Sequence, residues 1–346
     1  MKISVLAPVF HAEKLLPEAL SSVYAQTHPD YELILVLEDP ADACVSLCER
    51  AARERPDRVK VVYQSEKGIV PSRRAAVAAA SGEICAFLDA DDTMEKECLA
   101  VIASRFAADP GLDILLYNYH VMSGDGRQRA AAPALYADGA MFFGEGKRAL
   151  YEELVRSWKL NPLWIKAIKT ELLQSDPTDF AQFGASQIAD DLILSLYPVT
   201  KAARVAYCAR PLYNYRRNVS SNTHRTELRS LPREFNLPMV KLLRSYLPVW
   251  GLDTPEMRAA FHARQVMALL SVFWRYFRGA KTAAARRAVT DYDWRGELLP
   301  ETLAALDGPA VGRARRLQMR LLLNQKTGLL RLLDIVGRAL RIAKGD

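Results

Sequence analysis

Three carboxylates follow one short apolar run in the first third of the chain. Residues 84–88 are apolar or small and are followed at once by Asp89, Asp91 and Asp92. Acids this close together repel one another unless a cation is present, and Mg²⁺ and Mn²⁺ prefer hard oxygen ligands of this kind. Such an ion also binds phosphates, so the pattern predicts a metal and phosphate site. The alternative is a solvated turn with Asp92 or Thr93 as the N-cap of a helix.

A second acidic pair, Asp190 and Asp191, lies directly before the apolar run 192–194. Two adjacent aspartates in this position are typical of a helix N-cap and a first-turn charge, because both interact favourably with the amino end of a helix. The residue types alone therefore predict that a helix begins here.

Apolar strand-like runs alternate with helical patterns over the first 120 residues. The predicted strands are 3–7, 32–37, 59–63, 84–88 and 113–120, and the predicted helices are 13–25, 42–54, 72–80 and 95–107. This rhythm predicts an α/β fold, with a mostly parallel sheet and helices on both faces. Open sheets of this kind bind ligands at the carboxyl ends of their strands, which is where Asp89, Asp91 and Asp92 lie.

The rest of the chain has a different pattern. Residues 121–190 are less periodic and contain turn signals at 123–126 and 138–139, which is typical of a region that closes over a site. From about residue 229 onward apolar residues recur at three- and four-residue spacing, which predicts a helical appendage. A chain of 346 residues has room for one larger domain and such an appendage.

Four segments in order resemble the motifs of a known family, family 2 of the glycosyltransferases. Residues 3–10 are similar to its opening strand, which usually ends Pro-Val-Tyr-Asn, and residues 26–42 to its second, which usually ends Val-Asp-Asp-Gly-Ser. Residues 68–75 resemble its Gly-x-x-x-Ala-Arg-Asn stretch, and residues 87–92 closely resemble its metal-binding motif. Four matches in the same order are far more specific than one.

The resemblance covers most of the first 225 residues and implies the Rossmann-like fold called GT-A. It implies a domain at 1–225, with a nucleotide-sugar-binding half at 1–120 and an acceptor-side half at 121–225. The helical C-terminal region would then occupy 226–346.

The resemblance implies that Pro8, Phe10 and Glu38 bind the nucleotide. Phe10 would lie against a uracil ring, Pro8 would present its backbone, and Glu38 would accept a hydrogen bond from an N–H of the base. The other interpretation of Phe10 is a core aromatic. Leu37 and Asp39 depart from the family pattern, which has Asp and Gly there, and UDP is the nucleotide that the resemblance implies.

Metal and diphosphate contacts are implied for a second group of positions. Asp91 would bind Mn²⁺ or Mg²⁺, Asp89 would contact the metal or the ribose, and Arg73 would lie near the diphosphate, where a cation offsets leaving-group charge. The alternative for Arg73 is a surface charge. Residues 212–220 look like the family's Tyr-x-Tyr-Arg strand and loop, and His224 beyond them is a candidate late metal ligand; a lone His in a polar loop is more often exposed to solvent.

The same resemblance assigns the catalytic base to the second acidic pair, with Asp191 as the leading candidate and Asp190 beside it. Trp164 and Lys166 are candidate acceptor contacts, and Trp164 fits a core position equally well. The reaction implied is inverting transfer of a sugar from a nucleotide-sugar donor to a hydroxyl of a glycan or a lipid-linked glycan.

Two other functional classes remain as alternatives. A non-catalytic sugar-nucleotide-binding or assembly subunit is compatible with the altered motif at 37–39. A nucleotidyltransferase is less so, because the first strand ends in Ala7-Pro8-Val9-Phe10 rather than in a Gly-rich loop. Residues 68–74 lack the Gly-Lys-Ser/Thr ending of a P-loop, which disfavours a kinase or an ATPase.

The net charge of +7 is concentrated at the C-terminus. Residues 311–346 contain nine Lys or Arg and two Asp, and the remaining basic and acidic residues balance. Ten apolar residues are interleaved with these charges, which predicts two amphipathic helices broken near Gly328: Leu317, Leu321, Leu322, Leu329, Leu330, Leu332, Leu333, Ile335, Val336 and Leu340. Such helices suit an anionic membrane surface, or packing on their own domain or on a second copy in a homodimer. Nucleic-acid binding is not expected, because this segment contains no aromatic residue.

The five cysteines are an odd number scattered over predicted helices and strands, which predicts free thiols and a cytoplasmic protein. The sequence shows neither the pattern of a signal peptide nor an apolar run of about 18 residues. We therefore expect a protein that is at most peripheral, on the inner face of the membrane.

Overall fold

A computed structural model describes residues 1–64, 66–183, 190–217, 237–309 and 311–344, with the backbone alone at residue 190 and at 338–344. The chain divides into two compact units. One comprises Met1–Leu154 and Trp158–Val219, and the other comprises Val155–Ser157 and Ser220–Asp346.

The first unit contains one mixed sheet, and ten strands are found among the described residues. The strands are β1 Ile3–Val9, β2 Tyr31–Leu37, β3 Val59–Tyr63, β4 Ile84–Phe87, β5 Thr93–Met94, β6 Ile114–Met122, β7 Arg129–Ala131, β8 Met141–Phe143, β9 Lys166–Lys169 and β10 Arg204–Arg216. Their order is β3-β2-β1-β4-β9-β6-β10-β5, with β7 beside β6 and β8 beside β10. Strands β1 to β4 run parallel, as do β6 and β10, and β9 is antiparallel to both of its neighbours.

Register in the parallel part sets which residues meet at one edge. Val9 pairs with Leu37 at the ends of β1 and β2, and Leu6 pairs with Phe87 on β4. Both β1 and β2 are almost entirely buried, as apolar runs in a parallel sheet covered on both faces must be. Phe10, Glu38 and Asp89 therefore follow three neighbouring strands at the same edge of the sheet.

Helices pack around the sheet and form most of the second unit. They are α1 Leu16–Tyr24, α2 Val45–Glu54, α3 Ile69–Ala79, α4 Cys98–Ala108, α5 Arg148–Arg156, α6 Thr170–Gln174, α7 Asp190–Lys201, α8 Leu237–Val249, α9 Pro255–Gly279, α10 Ala283–Asp291, α11 Pro300–Ala304, α12 Arg313–Leu323 and α13 Thr327–Lys344. The α/β class, the mostly parallel sheet and the helical C-terminal region are confirmed.

Several boundaries differ from the predicted ones. The first two helices begin later than expected, at Leu16 and Val45. Helix α3 begins earlier, at Ile69, because Gly68 with a φ of 128° ends the preceding loop and Pro71 is tolerated in a first turn that needs no N–H donor there.

The region expected to be irregular, 121–190, contains regular elements. Strand β9 lies inside the sheet between β4 and β6, and helix α5 covers Arg148–Arg156. With only four residues and a lysine at each end, β9 carries too little apolar pattern to be recognised as a buried strand.

The second unit has its own aromatic core. Phe273, Phe277 and Trp294 are buried together with Leu322 and Leu330, so α9, α12 and α13 share one hydrophobic cluster. Across the described residues, none of the helices combines the length and the apolar character that crossing a bilayer requires.

Candidate active site

We call the turn after β4, which carries Asp89, Asp91 and Asp92, the acidic turn. Its third carboxylate, that of Asp92, attaches the turn to β10. Asp92 is buried, and its side chain accepts hydrogen bonds from the Tyr213 hydroxyl at 2.9 Å and from the Arg216 N–H at 2.7 Å. Burial raises the pKa of Asp92 well above its usual range, and the nearby Asp89 and Asp91 carboxylates raise it further. The interpretation of Asp92 as a helix cap is wrong, because the next residues form β5 and α4 begins only at Cys98.

Two residues of β10 shape this turn. The Tyr213 hydroxyl accepts from the N–H of Asp89 at 3.1 Å while it donates to Asp92. The Arg216 guanidinium is buried and donates to the backbone oxygen of Asp91 at 3.0 Å and to Glu18 at 2.6 Å. The Tyr-x-Tyr-Arg pattern was the available signal for these two residues, but sequence reasoning attached no role to them.

Arg73 joins the two acidic motifs. It lies on α3 with 4% of its surface exposed, and its guanidinium donates to Asp89 at 3.0 Å and to the Asp191 carboxylate. The alternative of a surface charge for Arg73 is therefore wrong. Asp191 is the second residue of α7, and its partly exposed carboxylate is brought beside the acidic turn by this contact.

The structure describes the two remaining predicted acid and metal positions less fully. Asp190 is the first residue of α7, and its side chain is not described. His224 lies outside the described residues.

The expected base-stacking residue, Phe10, is at the surface and not in the core. It follows β1 directly and is 38% exposed, with its ring centroid 4.0 Å from that of His11. His11 has a φ of 49°, and its N–H donates to the buried Asp42 carboxylate at 2.8 Å. Burial raises the pKa of Asp42, but the N–H donors of Cys44 and His11 outweigh it and hold that pKa below its usual range. Asp42 thus fixes the turn that carries Phe10.

Glu38 lies one residue beyond β2, on the same edge as Phe10. Its carboxylate accepts from the Ser72 hydroxyl at 3.1 Å, and Gln64 donates to the Ser72 oxygen at 2.7 Å. This chain of hydrogen bonds ties Glu38 to the first turn of α3. Pro8 is half-buried within β1, where it pairs with Val36.

Neither predicted acceptor contact presents its side chain to solvent. Trp164 is 6% exposed and stacks on Tyr213 and Tyr215, with ring centroids 4.7 Å and 5.4 Å apart. Lys166 is completely buried, and its ammonium donates to the backbone oxygens of Leu160, Asn161 and Pro162 at 2.6, 3.0 and 2.5 Å. Burial lowers the pKa of Lys166 to about 7, against the opposing effect of Asp191. Lys166 therefore supports the turn before Trp164.

The carboxylates at the acidic turn fit a metal ion whose remaining ligands come from a bound molecule. Within the described ranges, no three or more His, Cys, Asp or Glu side chains are grouped to hold an ion by themselves. Asp92 is buried against Tyr213 and Arg216, whereas the carboxylates of Asp89 and Asp91 are partly exposed, and carboxylate oxygens are hard ligands. Mg²⁺ is commonly bound by one or two carboxylates, and substrate phosphates complete its coordination shell.

Comparison with known proteins relates this chain to glycosyltransferases. Residues 4–158 match the sequence model of "Glycosyl transferase family 2". The putative glycosyltransferase EpsH of Bacillus subtilis is 28% identical over 229 residues, which cover 64% of this chain and 63% of EpsH, so this chain spans less than two thirds of that relative.

Solved structures share the fold at low sequence identity. The crystal structure of S. aureus TarS 1-349 in complex with UDP-GlcNAc has a TM-score of 0.64 and 18% identity, and the match covers 98% of this chain and 92% of that one. The structure of GalNAc-T7 with UDP, GalNAc and Mn²⁺ has a TM-score of 0.54 and 16% identity, with 76% and 50% covered. The match at 4–158 contains Asp89, Asp91 and Arg73 and covers less than half of the chain, and the fold around these residues is of the GT-A type: this part of the chain is similar to glycosyl transferase family 2.

Proposed function

We propose that this protein is an inverting glycosyltransferase that moves a sugar from a nucleoside-diphosphate sugar to a hydroxyl of a glycan or a lipid-linked glycan. The observation that carries the proposal is the contact of Arg73 with both Asp89 and Asp191. This contact brings Asp89, which is expected to bind the donor, next to Asp191, which is expected to accept a proton. A transferase needs these two groups on either side of one reacting carbon.

The donor binds at the edge where β1, β2 and β4 end. Phe10 offers an exposed ring face for a base, and Glu38 offers a carboxylate that only accepts hydrogen bonds. A carboxylate suits the N3–H of uracil, so UDP is the proposed nucleotide, which is also the nucleotide in the TarS and GalNAc-T7 complexes.

Asp91, with Asp89 beside it, would hold Mn²⁺ or Mg²⁺ together with the diphosphate. Mn²⁺ is present in the GalNAc-T7 structure. When bound, the ion would offset the negative charge that develops on the departing diphosphate. His224 is retained as a further candidate ligand.

The chain's own residues perform the proton transfer and the charge compensation. Asp191, with Asp190 beside it, takes the proton from the acceptor hydroxyl. The acceptor oxygen forms its bond to the anomeric carbon as the bond from that carbon to the diphosphate oxygen breaks on the opposite face, so the configuration inverts. Arg73 donates hydrogen bonds to the departing diphosphate. Its guanidinium contacts both Asp89 and Asp191, so a diphosphate bound at the acidic turn lies within reach of the same N–H donors.

We propose the cytoplasm as the site of this activity. All five cysteines are free and buried, which fits a reducing compartment. A polymeric acceptor is supported by the related TarS, which is a poly(ribitol-phosphate) beta-N-acetylglucosaminyltransferase and is 29% identical over 128 residues, 36% of this chain and 22% of TarS.

The test is release of free nucleoside diphosphate from a panel of nucleotide sugars with Mn²⁺, for the unmodified protein and for Asp91→Ala and Asp191→Asn. We expect release with UDP-sugars, a loss of metal stimulation in Asp91→Ala, and a loss of transfer with donor binding retained in Asp191→Asn. Full transfer by Asp191→Asn would show that the base is another residue. Nucleotide-sugar binding without turnover under every condition would favour a non-catalytic subunit, which the departures at 37 and 39 also suit.

A further inference from the structure

Helix α13 carries a row of large apolar side chains that its own unit does not cover. Leu329, Leu332, Ile335 and Val336 are 51%, 56%, 50% and 46% exposed. Their spacing of three, three and one residues places them on one side of an α-helix, and we call these four residues the outer face of α13. Single exposed apolar residues are ordinary, but four on one helix face mark a contact surface.

The opposite side of the helix already has its partners. Leu330 is fully buried in the aromatic core of the second unit, and Asp334 is 4% exposed. The Asp334 carboxylate accepts a hydrogen bond from the Arg278 guanidinium at 2.7 Å. Packing of α13 on its own unit therefore accounts for one side of the helix and leaves the outer face uncovered.

The charge around the outer face distinguishes between possible occupants. Residues 311–346 hold nine basic residues and two acids, and one of those acids, the buried Asp334, is paired with Arg278. Lys326 and Arg331 are exposed beside the apolar row. A second copy of this chain would place one strongly basic surface against another, whereas an anionic lipid surface is complementary to it.

We infer that the outer face of α13 binds an anionic membrane surface. The four apolar side chains enter the boundary between headgroups and acyl chains while the basic side chains remain at the lipid phosphates. Each nearby cation strengthens such binding by about fivefold, so binding depends on anionic lipid and weakens with salt.

Flotation with vesicles tests this inference without any need for catalytic activity. The full chain is mixed with phosphatidylcholine vesicles, with or without phosphatidylglycerol, and centrifuged through a density gradient. The test variant is Leu332→Glu with Ile335→Glu. The matched control is Phe143→Glu with Val249→Glu, which places the same charges on two other exposed apolar residues, 57% and 66% exposed.

We expect the unmodified chain and the control to float with the anionic vesicles and not with the neutral ones. The test variant should bind at least about tenfold more weakly, because two inserted side chains are replaced by charges of the wrong sign. Unchanged thermal melting of both variants shows that the fold is retained. Raising NaCl to about 1 M should release the unmodified chain from the vesicles, because salt screens its basic side chains. This arm of the experiment needs no variant.

Three results would overturn the inference. One is a chain that stays unbound with anionic vesicles, and another is a test variant that floats as well as the unmodified chain. The third is a dimer in sedimentation analysis that the test variant abolishes, because the outer face would then be an interface between two copies.

Discussion

Arg73 and Asp191 lie 118 positions apart in the sequence, and the Arg73 guanidinium donates a hydrogen bond to the Asp191 carboxylate. The same guanidinium donates to Asp89. Because the donors of an arginine lie in a rigid planar fork, the two carboxylates are held at a set separation. The pair is therefore a geometric link between the donor side and the proton-accepting side of the proposed site.

Arg73→Lys should lower kcat/KM for transfer by about 100-fold, because an ammonium cannot reach both carboxylates and the diphosphate in fixed directions. Steady-state kinetics with a UDP-sugar would measure this. Arg74→Lys is the matched control, since Arg74 donates to the backbone oxygen of Leu173 and lies over Phe180, away from the two acids. Equal losses in both variants would assign Arg73 a structural role alone.

Tyr213→Phe should weaken donor binding as well as stability. It removes the hydroxyl that joins the Asp89 N–H to the buried Asp92 carboxylate, at a cost of about 1–3 kcal/mol in the free energy of unfolding. The acidic turn would lose its anchor on β10, so we also expect the KM for the donor to rise several-fold.

Tyr207→Phe provides the comparison on the same strand. The buried Tyr207 hydroxyl accepts from the Leu135 N–H at 3.0 Å, so its loss should cost similar stability in a denaturant melt without a change in donor KM. A Tyr213→Phe protein with unaltered donor KM would contradict the proposed link between β10 and the donor site.

Glu38→Ala should remove the preference for uracil. A carboxylate accepts from the uracil N3–H but repels the lone pair at N3 of cytosine, so inhibition by UDP should weaken about tenfold or more while inhibition by CDP stays weak. Asp39→Ala is the control, because the Asp39 carboxylate accepts the N–H of Ala41 within the same turn. If UDP inhibits Glu38→Ala as strongly as the unmodified protein, Glu38 does not contact the base.

Glu32→Gln should destabilise the fold in a pH-dependent manner. Burial raises the pKa of Glu32, but hydrogen bonds from Ser4, Ser81 and Lys2 outweigh it and lower that pKa from 4.5 to about 2. A carboxyl group whose pKa is lower in the folded state stabilises the fold fully above pH 4.5, and this contribution is lost as the pH falls towards 2.

The difference in the free energy of unfolding between the two proteins should therefore be about 1–2 kcal/mol near pH 7, since screening near solvent keeps it below the full linkage value. It should shrink as the pH falls through 4.5 towards 2. Urea melts across this range measure it, with the exposed Glu54→Gln as control. A difference that does not vary with pH would show that the carboxylate form of Glu32 contributes nothing.

The sequence alone determined the class of fold and the order of its motifs. Alternation of apolar strands with helical patterns is a local signal, and β1 to β4 lie close to where it predicts them, with β3 matching at both ends. The acidic turn after β4 is equally local, since strand, turn and acids are adjacent in the chain. Free cysteines and a basic amphipathic C-terminus also follow from residue order.

Only the tertiary structure decided which side chains meet and which are buried. Strand β9 places Lys166 inside the sheet, where a lysine is not expected and where three backbone oxygens compensate its burial. The role of Tyr213 depends on the return of β10 beside β5, more than 100 residues after the acidic turn. Arg73 reaches Asp89 and Asp191 only because α3 and α7 converge on one edge of the sheet, and no spacing along the chain records a contact between elements that distant.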